Sequence, residues 1–285
     1  MSGSLRTGAA LAGLILIVAA CARPSPSVST PVASVEPPSP SVTSPSSRSA
    51  GEADLPQPLA APAAPPSAED GAIEPAALVG SIATDQPVVA LTFDAGSDTG
   101  FAAQILDTLH AYGIKATFGI TGRWGEANPE LTRRIAEDGH GLINHTYDHL
   151  SFTGFSTGGA PLSEQDRRHQ LDRTEQVIRE LTGGGAKPYF RPPYGDYDEA
   201  LHLQLGTWGY RYNLMWTVDS LGWKGLTAEE IIARCLEGAQ PGAIYLFHVG
   251  SASQDAAALP ALIEGLRGQG FAFATVAELL EAHDS

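Results

Sequence analysis

Five apolar runs in this chain end on, or next to, a side chain that can carry a proton, a charge or a metal ion. "VVALTFD" ends on Asp94, "HGLINH" on His145 and "RYNLMWTVD" on Asp219, while "PYFRP" holds Arg191 and "AIYLFHV" holds His248 one place before their ends. Chain leaving a strand usually turns on Gly, Asn or Ser, which tolerate the required backbone angles. Ionisable residues at that place on five successive elements predict one shared pocket.

The sharpest local signal is the pair His145 and His149 in "NHTYDHLSF". Four apart on a helical turn, two imidazoles lie on one side. With one carboxylate they would form a metal site with positions open to water. The spacing by itself also fits two unrelated histidines. In "FRPPYGDYD", Pro192 and Pro193 stiffen the backbone and remove two donors, as a loop held in shape requires. Arg191 could pin a carboxylate in a bidentate pair and keep it ionised, or it could be a surface arginine in a turn. His248 at a strand end suits a general acid, with Asp219 to orient it and support its protonated form. Trp223 and Leu246 could wall an apolar notch or pack in the core. His110, His140, His169, His202 and His283 stand alone and carry no such reading.

The elements that must position these residues alternate. Runs of strand length at 88–94, 116–121, 140–145, 188–192, 211–219, 243–249 and 271–276 are separated by helical patterns around 100–112, 129–138, 163–182, 197–208, 227–238 and 256–268. Pro129 sits in a first helical turn, Ser163 precedes acidic residues, and Thr227 to Glu230 reads as a capping box. Strands alternating with helices predict a parallel sheet, either open and doubly wound or closed into a barrel. Periodicity leaves both open, and both place function at the C-terminal strand ends.

Before residue 80 the chain changes character. Residues 1–20 have the anatomy of a signal segment, with Arg6 ahead of an apolar stretch too short to span a bilayer. Val18-Ala19-Ala20-Cys21 resembles a bacterial lipobox, which would lipidate Cys21; a plain secretory signal is the alternative. Residues 21–75 are rich in Pro, Ser and Ala and read as a disordered tether. Residues 80–285 form the expected domain. The 285-residue chain carries a formal net charge of −15, and an acidic domain without a Lys/Arg stripe is a poor partner for nucleic acid. Of its two cysteines, Cys21 belongs to the anchor and Cys235 to a helical pattern, so no disulfide is expected.

Taken in order, Thr92-Phe-Asp-Ala-Gly96, His145-Thr-Tyr-Asp-His149, Arg191-Pro-Pro-Tyr-Gly195, Asp219-Ser-Leu-Gly-Trp223 and Leu246-Phe-His248 resemble the motifs of the polysaccharide deacetylases with a NodB-homology domain, carbohydrate esterase family 4. The resemblance implies a distorted (β/α) barrel with about seven parallel strands. It also implies a divalent ion, usually zinc but sometimes cobalt or nickel, on His145, His149 and an aspartate. By motif position Asp94 matches the catalytic base, Arg191 the residue that positions it, and His248 the acid supported by Asp219. The Tyr194 backbone N–H matches an oxyanion donor, and Leu246 and Trp223 match the walls of an acetyl pocket. Two positions depart from the motifs. The metal-binding second aspartate of TFDDG is Ala95, and the second aspartate of D-x-x-D-W is Gly222. Asp98 could reach the histidine pair in place of Ala95, Asp94 could ligate directly, or water could complete the shell; Asp98 could instead be a solvated loop acid or a helix cap.

The implied activity is deacetylation of an N-acetylated glycan, peptidoglycan or a chitin-like oligosaccharide, by a monomer anchored outside the cytoplasm through Cys21. The alternatives are a catalytically impaired glycan-binding module, or a hydrolase acting on acetylated xylan or another small acyl or amide substrate. A paired-carboxylate glycosidase would leave the histidine pair and Arg191 unexplained.

Overall fold

The computed structural model describes residues 73–284. The expected signal segment, Cys21 and the tether up to residue 72 lie outside the described residues. The strands are β1 (Ala77–Val79), β2 (Val88–Ala95), β3 (Thr117–Ile120), β4 (Gly141–Asn144), β5 (Tyr189–Phe190), β6 (Tyr212–Leu214), β7 (Val218–Asp219), β8 (Ile244–His248) and β9 (Ala272–Phe273). They pair in parallel in the order β1-β6-β5-β4-β3-β2-β8-β7, with β9 beside the start of β2. The sheet curls into a half-barrel, as the motif resemblance implies.

The strands depart from the expected set at both ends of the sheet path. β1 precedes the expected domain start at residue 80 and is too short to show a pattern. The run 211–219 breaks into β6 and β7, which lie far apart in the sheet order. The link between them bonds to β1 and β8: Met215 N–H donates to the Val79 carbonyl and Thr217 N–H to the Ile244 carbonyl, each at 2.8 Å. No Gly or Pro marks the break, so the run reads as one strand.

The helices are α1 (Ala102–Tyr112), α2 (Gly122–Ala127), α3 (Pro129–Glu137), α4 (Glu164–Thr182), α5 (Glu199–Thr207), α6 (Ala228–Glu237), α7 (Asp255–Gly268) and α8 (Val276–His283). Alternate residues of β2 divide the two faces of the sheet. Val89, Leu91, Phe93 and Ala95 join the core beneath α1, α6 and α7, whereas Ala90 belongs to the inner cluster. In the outer core Phe93 stacks between Phe118 and Phe247, both at 5.3 Å between ring centroids. Each such ring stabilises the fold by about 1.5–3 kcal/mol through burial alone. Cys235 is buried in this core, where desolvation pushes its thiol up to about 12, as befits an inert packing residue.

The expected strand 271–276 stops at Phe273, because Thr275 and Glu278 form a capping box that starts α8. Val276, Leu279 and Leu280 of α8 then pack on Ala90, Ile143, Leu214 and Ile244 inside the curled sheet. The half-barrel is thereby plugged at the foot, where β2 begins, and its polar chemistry is confined to the opposite strand ends.

Candidate active site

The register of three neighbouring strands brings the site together. In β2, Asp94 pairs with Gly119 of β3 on one side and with His248 of β8 on the other. Gly119 is required by this geometry: a Cβ there would stand 2.3 Å from Asp94 Oδ1. Arg191, just past β5, is fully buried. Its Nη1 donates to Asp94 Oδ1 at 2.8 Å, its Nε to the Leu214 carbonyl at 3.1 Å and its Nη2 to the Met215 carbonyl at 3.3 Å. The expected carboxylate partner of Arg191 is therefore Asp94.

The same arginine holds His145. The Arg191 carbonyl lies 2.9 Å from His145 Nδ1, and His145 Nε2 lies 3.5 Å from Asp94 Oδ2. A proton on Nδ1, donated to that carbonyl, leaves the Nε2 lone pair on the Asp94 side. Burial alone would raise the Asp94 carboxyl, but Arg191, His145 and His248 outweigh it and hold it below the usual carboxylate range. Burial lowers His145 despite the nearby carboxylate. His149 falls to about 4, again chiefly through burial and then through His145. Both imidazoles are neutral at physiological pH, the form that ligates a cation.

The helical turn expected for this pair is absent. Residues 145–149 form a loop after β4, with left-handed backbone at Thr146 (φ 67°) and His149 (φ 62°). Asn144 Oδ1 accepts the Thr146 N–H, and Gln170 Oε1 accepts those of Tyr147 and Asp148, which holds the loop in shape. The two rings still meet, with centroids 4.9 Å apart and nearly perpendicular planes. Tyr194 is also left-handed (φ 61°), follows the stiff Pro192–Pro193, and sets its ring 4.9 Å from His149. Left-handed backbone at a bulky residue costs about 1–3 kcal/mol and collects at working sites.

Asp94, His145, His149, Tyr194, Asp219, Trp223, Leu246 and His248 all line one cavity of about 590 Å³. Leu246 is buried, whereas Tyr194 and Trp223 are half exposed at the mouth. Two predicted residues are engaged elsewhere. Asp219, expected to support His248, accepts instead from the Leu221 N–H at 2.9 Å and from the Trp223 indole N–H at 3.3 Å, shaping its own loop. Asp98 accepts the Ser251 N–H at 2.9 Å and the Ser251 hydroxyl, and it does not line the cavity.

Residues 81–213 match the polysaccharide deacetylase family. A peptidoglycan-N-acetylglucosamine deacetylase from Bacillus cereus is 36% identical over 199 residues, which cover 68% of each chain. This chain belongs to the polysaccharide deacetylases. The solved structure of Bacillus subtilis PdaA, a family 4 carbohydrate esterase, superposes with a TM-score of 0.65 at 27% identity, covering 71% of this chain and 84% of that one. A pseudoenzyme of the same family from Bacillus anthracis superposes with a TM-score of 0.64 at 28% identity, covering 72% and 69% of the two chains.

Deacetylases of this family generally depend on a metal ion, and the donor set here fits one in part. The two neutral imidazoles beside Asp94 suit a divalent cation. The third donor expected from the motif is missing, because Ala95 is fully buried in the helix-side core and contributes only a methyl group. Among the described residues no group of three His, Cys, Asp or Glu side chains could hold an ion by itself. Sequence reasoning also missed residues of this deacetylase site. Trp216, in the crossing between β6 and β7, lines the cavity with the Arg191 guanidinium 5.9 Å from its ring. Asp196 binds Ser151 and Ser156 and so fixes the loop at the mouth; it was visible only as one more acid in "PPYGDYD". Asp255 and Ser253, behind His248, carry no strand-end signature.

Proposed function

We propose that this deacetylase hydrolyses the acetamido group of N-acetylated sugars in peptidoglycan, releasing acetate and leaving a free amine. The observation that carries this reading is the pairing of Asp94 with His248 on adjacent strands, at the floor of one cavity, with Arg191 keeping the carboxylate ionised. Water oxygen adds to the acetyl carbonyl while Asp94 takes its proton. The Tyr194 N–H donates to the oxygen that becomes negative. His248 then protonates the departing nitrogen as the carbon–nitrogen bond breaks, and Leu246 with Trp223 walls the acetyl methyl. A divalent ion on His145 and His149, zinc before cobalt or nickel, would polarise the carbonyl and acidify the water. Through a lipidated Cys21 and the tether the monomeric domain would work on the wall from the outer face of the membrane.

A glycan-binding protein without catalysis is the competing reading, favoured by Ala95 in place of the metal-binding aspartate. Acetate release from purified peptidoglycan and from N-acetylglucosamine oligomers separates the two. Asp94→Asn is expected to slow release about 10²- to 10⁴-fold, and His145→Ala or a chelator to abolish it. Wild-type rates in these variants would overturn the mechanism, and binding without release from either substrate would establish the competitor.

A further inference from the structure

Gly222 stands where the motif D-x-x-D-W has its second aspartate, and the structure shows what fills that space. A Cβ on Gly222 would stand 2.2 Å from Ser253 Oγ and 2.6 Å from Asp255 Oδ1, far inside van der Waals contact. Its backbone is not left-handed, so these two residues alone exclude a side chain there. The room for a carboxylate arriving from the loop after β7 is occupied by one arriving from the first turn of α7.

Asp255 is 1% exposed. Its Oδ2 accepts the backbone N–H of His248 at 2.8 Å, which fastens the carboxylate to the strand end that carries the imidazole. Asp255 Oδ1 and His248 Nδ1 are both buried and both without a hydrogen-bond partner. A buried polar atom left unpaired costs about 1–3 kcal/mol. Asp219, the acid expected to support His248, spends its oxygens on Leu221 and Trp223.

We propose that Asp255 is the positioning residue for His248, supplying from α7 the carboxylate that position 222 lacks and supporting the protonated imidazole that delivers a proton to the leaving amine. The inference rests on the deacetylation reading above. Burial pushes the Asp255 carboxyl up, while the His248 N–H, the Ser253 and Ser220 hydroxyls and the His248 imidazole favour its charged form. Asp94, His145 and His149 also face His248 across the cavity floor, and Cys235 of α6 is a further titratable group near Asp255.

The test compares two substrates. Asp255→Asn keeps an acceptor for the His248 N–H and removes the charge. It is expected to lower kcat/KM on an N-acetylated glycan about 10- to 100-fold while sparing an aryl acetate, whose phenolate departs without a proton. His248→Ala should show the same split. A second arm starts from the slow Ser253→Ala/Asp255→Ala protein, in which Gly222→Asp should restore part of the glycan rate by returning a carboxylate from the other side. Full glycan activity in Asp255→Asn, or an equal loss on both substrates in protein with a wild-type denaturation midpoint, overturns the role of Asp255. Failure of the wild type itself to release acetate from any glycan overturns the deacetylation reading instead.

Discussion

The two walls of the cavity differ in how fully their polar groups are paired. On the Asp94 wall, Oδ1 is bonded to Arg191, Oδ2 faces His145, and His145 Nδ1 meets the Arg191 carbonyl. On the His248 wall, the imidazole Nδ1 and Asp255 Oδ1 are buried and unpaired. A base that must be ionised before each turnover gains from fixed partners that favour one protonation state. An acid that gives up a proton and regains it needs a neighbour whose bonding can change with its charge. The difference between the walls fits the tasks proposed above, Asp94 as base and His248 as acid.

Breaking the paired wall should have the largest effect. Arg191→Met strands a buried carboxylate, and loss of one partner from such a pair costs about 3–5 kcal/mol. Burial, no longer opposed by Arg191, would raise the Asp94 carboxyl, so activity at neutral pH should fall with stability. Adding Asp94→Asn removes the stranded charge and should recover part of the urea midpoint while activity stays lost. A midpoint unchanged in Arg191→Met would show that this wall is not held by the ion pair.

The contrast between the walls also explains how much was legible in the sequence. Asp94, His145, Arg191 and His248 stand at strand ends, and a parallel sheet leaves a simple trace there: an apolar run, then an ionisable residue. The spacing of His145 and His149 was informative although the backbone differs, because a left-handed loop brings the rings together as a helical turn would. Asp255 left no such trace. It is an acidic residue in the first turn of a helix, as are Glu164 and Glu199, where the helix dipole alone accounts for it. Only the close approach to Gly222 and the bond to the His248 N–H separate it from them. Trp216 was hidden for another reason: the crossing that places it lies inside an unbroken apolar run. The capping box of α8 was present in "TVAE", but the adjacent "FAFA" spoke for a strand.

A second buried histidine serves as a control for the first wall. His140 and His145 bracket β4, but His140 lies at the end away from the cavity, packing on Phe118 and accepting the Ala116 N–H at 3.1 Å. Burial, then Lys115, pushes its pKa down to about 4. The unfolded chain therefore binds this proton more readily than the fold does, and the stability it contributes is present above about 6.5. That contribution is lost as pH falls from there toward 4, at up to about 1.4 kcal/mol per pH unit. His140→Asn, which can keep an acceptor near the same amide, should flatten that part of the stability profile and leave acetate release intact. An unchanged slope would place the acid sensitivity in the cavity histidines instead.

The smallest effect is expected where the two walls are tied together. Asp98 follows β2 and holds Ser251, which follows β8, so it links the loop after Asp94 to the loop after His248. Those bonds hold its carboxyl below the usual range, and they would have to break for Asp98 to join the histidines. Asp98→Ala should therefore leave the metal content of the purified protein unchanged and slow acetate release only slightly, through looser placement of the His248 loop. A collapse of metal content in this variant would mean that Asp98 leaves Ser251 when an ion binds. The third ligand missing at Ala95 would then come from three residues further along the same loop, and the tie between the walls would itself depend on the metal.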